Sequence, residues 1–476
     1  MRAAVLQYET RAPEQTLLYG VVASELETFL ARQRSAEHEV TRFVEREFRA
    51  FLECGVLSHG FLRVHCGSCG MDRVVGFSCK KRGWCPSCGG RRMAETAAHL
   101  VDHVLPHVPM RQWVLSVPHG LRYRMAYDAD LLSRVMGIFS RVVFQSLRIR
   151  ASECGIPRGQ CGAVTFVQRF GSALNLHPHG HMICTDGVYA ALPGESPRFY
   201  PLAPPGQKDI VWVAQTIATR IQHALEADLA TDDTVGEPWL AELYIDGVGN
   251  KIRTGPRSGQ KTSMAYGPGG PVIDQERPAS GIRCADYQGF SVHANVAVRA
   301  ADRTGLESLC KYAARPPLAH DRLEEASGGK LVYRMKTPWR NGATHVVMER
   351  IELIEKLAAL VPRPRYHIVH YYGVLAPAAK WRRDIVPDPP PLDQCSHGSD
   401  TDDPKPPRKN YTWAQLMART FEFDVLQCPR CGGRMKVIAV IESPEVACRI
   451  LDSLGIVCRP PPLLAARLRI EQLEHY

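Results

Sequence analysis

The chain has 476 residues, 45% of them hydrophobic and 23% charged, with a formal net charge of +10. That length and apolar content allow more than one domain and at least one sizeable core, which excludes a disordered chain. With no apolar run of about 18 residues and no basic-then-apolar leader, the sequence predicts a cytoplasmic protein with no membrane partner.

Helices are predicted over Glu14–Ala31 and Glu37–Phe51 from their apolar periodicity. A cysteine-rich block follows, in which Cys66-Gly-Ser-Cys69 and Cys85-Pro-Ser-Cys88 are separated by fifteen residues. Two such knuckles at this spacing predict one four-thiolate zinc site, with Met71 to Trp84 as the hairpin that joins them. Cys54 and Cys79, with His59 and His65 nearby, could hold a second zinc, although a buried free cysteine is the commoner outcome. Ala94–Val104 reads as a helix, Gln112–Val117 as a strand ending at Pro118, and Ala129–Arg150 as a long helix. Strands Ala163–Phe170 and His179–Tyr189, a helix over Asp209–Leu229 and a strand Phe290–Val298 come next. Between the last two, the Gly-, Pro- and Arg-rich stretch Asp246–Gly281 predicts an exposed loop insertion. Thr304–Arg315 is a short helix with a Thr304/Glu307 capping box and a stop at Pro316-Pro317. Strands Lys330–Met335 and Thr344–Met348, helix Arg350–Leu360 and the linker Asp388–Lys409 complete the order. The fold class is α+β, a central antiparallel sheet flanked by helices and preceded by a helical, zinc-ribbon-like domain. The expected divisions are 1–100 (helical and zinc-binding), 101–385 (catalytic, with 246–281 inserted), 386–410 (linker) and 411–476 (small C-terminal region).

Chemistry concentrates in His177-Pro-His179-Gly-His181. Alternate strand residues share a face, so His179 and His181 project together about 6.6 Å apart along the backbone and can grip one divalent ion. His177 and His181 stand about 13 Å apart on the same rule, which leaves His177 to flank the site. On the helix Thr304–Arg315, Leu306, Leu309, Cys310 and Ala313 form an apolar stripe, leaving Ser308, Lys311, Tyr312 and Arg315 on the polar side. A tyrosine flanked by cations can act as a phosphate-attacking nucleophile, though most tyrosines are packing residues. The positive residues bunch at Lys80-Lys81-Arg82 and Arg91-Arg92, and again across Arg334 to Arg340 and Arg363 to Arg383. Such clustering suits a phosphate backbone, a solvated basic face being the plain alternative.

The order of these motifs resembles transposases of the insertion sequence 91 family. The run comprises the cysteine knuckles, Gln168-Arg-Phe-Gly-Ser-Ala-Leu-Asn-Leu176 ahead of the histidines, Gly289-Phe-Ser-Val-His-Ala294, Leu309-Cys-Lys-Tyr-Ala-Ala-Arg-Pro-Pro-Leu318, Tyr371-Tyr-Gly-Val-Leu-Ala-Pro377 and Cys428-Pro-Arg-Cys-Gly-Gly-Arg434. Those proteins belong to the HUH nucleases, and the resemblance implies an HUH nuclease-like sheet and nicking and rejoining of single-stranded DNA at transposon ends. It implies His179 and His181 as ligands of catalytic Mg2+ or Mn2+, Tyr312 as the nucleophile forming a 5′-phosphotyrosine, and structural Zn2+ in the cysteine module. Gln168 and His293 are candidates for the third ligand. Lys80, Lys81, Arg82, Arg91, Arg92, Lys311 and Arg315 are the expected DNA contacts, and the protein would sit at the nucleoid of a prokaryote. Two departures stand out: Ser308 occupies the place of a second tyrosine, so one nucleophile serves alone or a second protomer of a homo-oligomer helps, and Gly180 replaces a bulky apolar residue that would pack beneath the metal.

Cys428 and Cys431 make half a metal site, for which Cys395, His397, Cys448 and Cys458 are available partners. Two other function classes compete. A zinc hydrolase would need a close Asp-His after the paired histidines, whereas Asp186 is followed by Gly187; a zinc-ribbon DNA-binding regulator would leave the histidines and Tyr312 unexplained.

Overall fold

The structure is a computed structural model describing residues 11–81, 83–228, 237–266, 282–339, 341–387, 411–421, 424–458 and 463–467. Helices α1 (Leu17–Ser35) and α2 (Arg42–Glu53) lead to a hairpin of β1 (Phe61–Cys66) and β2 (Asp72–Gly76). Then come α3 (Pro86–His103), β3 (Met110–Ser116), α4 (His119–Tyr127), α5 (Ala129–Glu153), β4 (Gly162–Phe170) and β5 (Leu176–Thr185). A small ribbon, β6 (Gly187–Ala190) with β7 (Arg198–Pro201), precedes α6 (Gln207–Asp228), α7 (Pro238–Gly249) and β8 (Ser263–Ala265). The chain continues through β9 (Cys284–Tyr287), β10 (Phe290–His293), β11 (Ala297–Val298), α8 (Arg303–Ala314), β12 (Leu323–Glu325), β13 (Leu331–Arg334), β14 (His345–Met348) and α9 (Arg350–Leu360). It ends with β15 (Val369–Gly373), α10 (Arg382–Ile385), α11 (Trp413–Phe421), β16 (Met435–Ile441) and α12 (Pro444–Ser453).

The α+β expectation holds. Seven strands form one antiparallel sheet in the order β15-β4-β5-β3-β10-β9, with β11 also on β3. Each face is covered by helices, which makes the sheet the middle of three layers. On one side Met136, Phe139 and Val143 of α5 and Val213 and Ile217 of α6 pack on Trp113, Leu115, Val167 and Met182. On the other, Leu100 and Val101 of α3 and Leu306, Leu309, Cys310 and Ala313 of α8 pack on Val164, Phe166 and Ile183. A second sheet, β12-β13-β14-β8, builds a separate core with α1, α7 and α9.

Several elements differ from expectation for identifiable reasons. The segment between the knuckles is not the hairpin: β1 and β2 flank the first knuckle, whose turn is the hairpin's own, and the second knuckle opens α3 with Cys85 at the N-cap and Pro86 in the first turn. Helix α8 is capped by Asp302, whose carboxylate accepts from the Gly305 N–H at 2.7 Å, in place of the Thr304/Glu307 box. The first part of the expected loop Asp246–Gly281 is anchored: it completes α7, its Arg253 and Thr254 N–H groups donate to Glu355 of α9 at 2.9 and 3.0 Å, and it enters β8. Residues 267–281 of that loop and 388–410 of the linker lie outside the described residues. The C-terminal region docks on the N-terminal one, since β16 pairs with β1 in a three-stranded sheet, Phe61 opposite Ile441 and Cys66 opposite Met435.

Candidate active site

Strand β5 is hydrogen-bonded on both sides, by β3 and β4, so its backbone cannot shift without breaking two ladders. Its odd-numbered side chains face α3 and α8. The rings of His177, His179 and His181 therefore stand in one row, with centroids 5.0 and 4.9 Å apart, closer than the backbone spacing because they lean together. Gly180 points the other way, where an added Cβ would meet Met136 Sδ at 2.8 Å. The support that a bulky residue would give beneath the pair is thus supplied by Met136 and Phe139 of α5, and the glycine is what lets that helix approach.

Helix α8 brings Tyr312 onto this histidine face. Its ring meets His181 edge-on at 5.6 Å between centroids and is 36% exposed, so the phenol is open to a large substrate. Gln168, opposite His179 on β4, donates from Nε2 to the carbonyls of Tyr312 and Ala313, both at 2.9 Å. One amide thereby ties the histidine strand to the end of the tyrosine helix. Its Oε1 is buried with no hydrogen-bond partner among the described residues, and so is His177 Nε2. Buried unpaired acceptors are costly and rare, and at this place they mark a position for a cation or a donor.

The electrostatics suit ligation. Nδ1 of His179 lies 2.8 Å from the His177 carbonyl, to which it can only donate, leaving Nε2 with its lone pair. The amide nitrogen of Gln112 lies 3.0 Å from Nδ1 of His181; turning the amide by 180°, which exchanges its nitrogen and oxygen, puts the oxygen there, where it accepts the Nδ1 proton and frees Nε2 in the same way. Burial pushes His179 down to about 4, and burial with the charges of His179 and Arg315 holds His181 well below the ordinary imidazole range. Both rings are neutral at neutral pH. Two cations flank the tyrosine: Arg315 Cζ lies 4.6 Å and Lys336 Nζ 4.2 Å from the ring centroid. Two imidazole nitrogens and the unpaired Gln168 amide oxygen are donors of the kind that Mg2+ or Mn2+ takes.

His293 is not brought to the pair. It lies two strands away, opposite Val114 of β3, and its ring nitrogens engage Cys284 Sγ at 2.8 Å and Ser291 Oγ at 3.0 Å. Asp186 is held in a buried bidentate pair with Arg111 at 2.7 and 2.9 Å, so it is not free to ligate a metal. Gln112 escaped the sequence reading because it looks like any polar residue in a strand; Lys336 was read only as part of the basic run Arg334 to Arg340, since it lies 24 positions after Tyr312, where no spacing rule connects them.

The expected DNA contacts divide. Lys80 pairs with Glu95 at 2.6 Å, and Arg91 and Arg92 donate to the carbonyls of Ser78 and Lys80, each at 3.1 Å, bracing the cysteine loop from within. Lys311 pairs with Glu307 at 2.9 Å. Arg315 lies over Tyr312 and Phe170, and Lys81 is exposed. Arg82 lies outside the described residues.

The cysteines pair otherwise than their spacing predicts. Cys66 and Cys69 do not meet Cys85 and Cys88. Their sulfurs lie with those of Cys428 and Cys431, all four within 4.8 Å of one another. Cys54, Cys79 and Cys88 form the second group on the same criterion, and the Cys85 thiol hydrogen-bonds that of Cys88. The physical cause is the α3 N-cap: it turns the second knuckle toward Cys54 at the end of α2, while β1 carries Cys66 to the far end of the hairpin. His65 is engaged by Asp72 at 3.0 Å. Cys448 and Cys458, offered above as partners for Cys428 and Cys431, are joined by a disulfide, and Cys395 and His397 lie outside the described residues. Helix α3 then carries the second group to the tyrosine helix, since Gly89 abuts Pro316, whose ring a Cβ would meet at 2.6 Å.

Two family models match. Residues 22–117 fit the one described as "Transposase zinc-binding domain", built on insertion sequence 91 elements, and residues 162–383 fit the one described as "Putative transposase". Cys428 and Cys431 fall outside both. No curated protein and no solved structure matches the chain. Among the described residues, no helix is long and apolar enough to cross a membrane.

Proposed function

From the premise that the chain is a transposase of the insertion sequence 91 type, a DNA-processing enzyme with a zinc-binding domain, we propose that it nicks and rejoins single-stranded DNA with Tyr312 as the nucleophile. The observation that carries this reading is the edge-on contact of Tyr312 with His181 at 5.6 Å, beside His179 and the unpaired Gln168 oxygen.

His179, His181 and Gln168 would hold Mg2+ or Mn2+, which when bound polarises the scissile phosphate. His179 and His181 would offer neutral ring nitrogens to that ion, with the Gln112 amide, its oxygen toward Nδ1, fixing the tautomer of His181. Gln168 ties the histidine strand to α8. Arg315 and Lys336 offer positive charge beside the Tyr312 ring for the phosphate it attacks. The Tyr312 Oη–phosphorus bond forms as the bond from phosphorus to the 3′-oxygen breaks. The phenol gives up its proton, the 3′-oxygen takes one up, and the 5′-phosphate stays on tyrosine. Attack by another 3′-hydroxyl reverses the step and joins strands without an external energy source. Ser308 lies exposed one turn before Tyr312, so a protomer carries one such nucleophile on this helix.

The test is a denaturing gel of the full chain with a labelled single-stranded oligonucleotide bearing the element's end and Mg2+ or Mn2+. A covalent adduct in wild type that is absent in Tyr312→Phe is the expected result. No adduct in wild type overturns the nuclease reading, and an adduct in Tyr312→Phe overturns the assignment of the nucleophile.

A further inference from the structure

We infer that Cys66, Cys69, Cys428 and Cys431 hold a single zinc ion that closes the chain end to end and docks helix α11 on the helix that carries Tyr312. The transposase reading assigns zinc to the N-terminal domain alone; this site takes half its ligands from outside it.

The two half-sites are copies of one turn. In Cys66-Gly-Ser-Cys69-Gly70 the Gly70 N–H donates to the Cys66 carbonyl at 2.9 Å and the Cys66 N–H to the Met71 carbonyl at 2.9 Å. In Cys428-Pro-Arg-Cys431-Gly432 the Gly432 N–H donates to the Cys428 carbonyl at 2.9 Å and the Cys428 N–H to the Gly433 carbonyl at 2.8 Å. The glycine after the second cysteine sits at φ 72° in one and 73° in the other, the left-handed conformation that closes such a turn. The pairing of β1 with β16 sets the turns face to face, with Cys66 Sγ 3.5 Å from Cys431 Sγ and Cys69 Sγ 3.6 Å from Cys428 Sγ. Four sulfurs about 2.3 Å from a tetrahedral zinc lie about 3.8 Å apart, whereas a disulfide needs about 2.0 Å. The spacing is that of a shared ion. The Gly433 N–H, 3.4 Å from Cys431 Sγ, adds a donor of the kind thiolates attract.

The knuckle end of this small sheet has few other contacts to hold it. Its core there is Val64, Val425, Leu426 and Met435 around the cysteines themselves, while Phe61, Val74 and Ile441 pack with α12 at the opposite end and Val437, Ile438 and Val440 of β16 are exposed. With so few buried side chains at the knuckles, metal binding supplies folding free energy to that end.

Helix α11 carries the consequence to the active site. Trp413, Ala414 and Met417 pack on that core, while Arg419 reaches the other way. Arg419 pairs with Asp102 of α3 at 2.5 Å and with Glu307 of α8 at 2.7 Å, and Tyr411 donates to the same Asp102. Glu307 also pairs with Lys311, next to Tyr312. The ion fixes the ribbon, the ribbon holds α11, and Arg419 holds α8.

The experiment counts zinc in the purified full-length protein by mass spectrometry and follows backbone hydrogen exchange. The double variant Cys428→Ser/Cys431→Ser loses one zinc per chain. Cys66→Ser/Cys69→Ser loses the same one, and the fourfold variant loses no second. Undiminished zinc in the first variant, or two lost in the fourfold one, overturns the shared site. Because these variants can misfold, the Cys54→Ser/Cys88→Ser protein, in which the other thiol group is disabled, reconstituted with Co2+ provides an independent reading: a tetrahedral tetrathiolate spectrum supports the site, and its absence overturns it. Exchange in the Cys428→Ser/Cys431→Ser protein rises in α11 and α8 while α5 stays protected. Unchanged exchange in α8 overturns the coupling to the tyrosine helix. None of these readouts requires nicking, so the site can fail while the nuclease reading stands, and the reverse.

Discussion

The histidine–tyrosine site and the split thiolate site are both assembled from distant parts of the chain, yet they are held in opposite ways. His179 and His181 ride on a strand bonded on both sides, backed by α5 and tied to α8 through Gln168. The four thiols ride on two turns whose facing sulfurs belong to residues 359 and 365 positions apart, with few buried side chains behind them. The first site is organised by packing and hydrogen bonds of the protein itself, and on the zinc inference the second is organised by its ion. It follows that substitutions at the first site change chemistry or affinity while the fold survives, whereas those at the second change what is docked where.

The sharpest separation comes from Tyr312→Phe. The hydroxyl is at an exposed ring and makes no described hydrogen bond, so thermal stability should stay within about 0.5 kcal/mol of wild type. Strand cleavage should fall on the order of a thousandfold or more, as for loss of any covalent nucleophile. Calorimetry and the adduct gel check the two halves, and a large loss of stability would break the claim that chemistry and fold are separable here.

Next in size is Gln112→Ala. If the amide sets the tautomer of His181, its removal should weaken Mn2+ binding by about 10- to 100-fold, measured by titration calorimetry, with the β-sheet spectrum unchanged. Gln112→Glu should keep most of the affinity, because a carboxylate accepts the same proton. Equal loss in both variants would show that Gln112 only packs.

Gly180→Ala probes the backing of the same site. The new Cβ would fall 2.8 Å from the sulfur of Met136, the flexible part of that side chain, so overpacking should cost about 1–3 kcal/mol and not unfold the sheet. Met136→Ala in the same chain should recover part of that loss, and denaturant midpoints decide it. Additive losses in the double variant would mean the contact is unimportant.

What the sequence disclosed follows the same division. Period-two spacing puts His179 and His181 on one face, whereas Tyr312 is singled out by the family resemblance; the rings of His179, His181 and Tyr312 lie side by side. The partner of Cys66 was not legible, because a C-x-x-C turn announces a half-site without saying which half completes it. Nearness in sequence favoured Cys85 and Cys88, and strand pairing with β16 decided for Cys428 and Cys431. Composition likewise reports a charge but not its partner: Lys80 pairs with Glu95 of α3, and Arg91 and Arg92 donate to carbonyls of the cysteine loop. Asp302 took the cap of α8 from Thr304, which left Glu307 to Arg419.

The smallest effect separates a phosphate contact from a structural cation. Lys336 is exposed, its ammonium lies 4.2 Å from the Tyr312 ring centre, and it makes no ion pair among the described residues, so it can meet a phosphate without breaking one there. Arg91, by contrast, is committed to the Ser78 carbonyl. Binding of single-stranded oligonucleotide by Lys336→Met, followed by anisotropy across a salt series, should show a log–log slope shallower by about 0.7, the share of one neutralised phosphate on a single strand. Arg91→Met should leave that slope unchanged and lower thermal stability instead. The reverse pattern would put the DNA path along the zinc-binding helix α3 and away from the tyrosine, and would require the active site to be reached from the other end of the sheet.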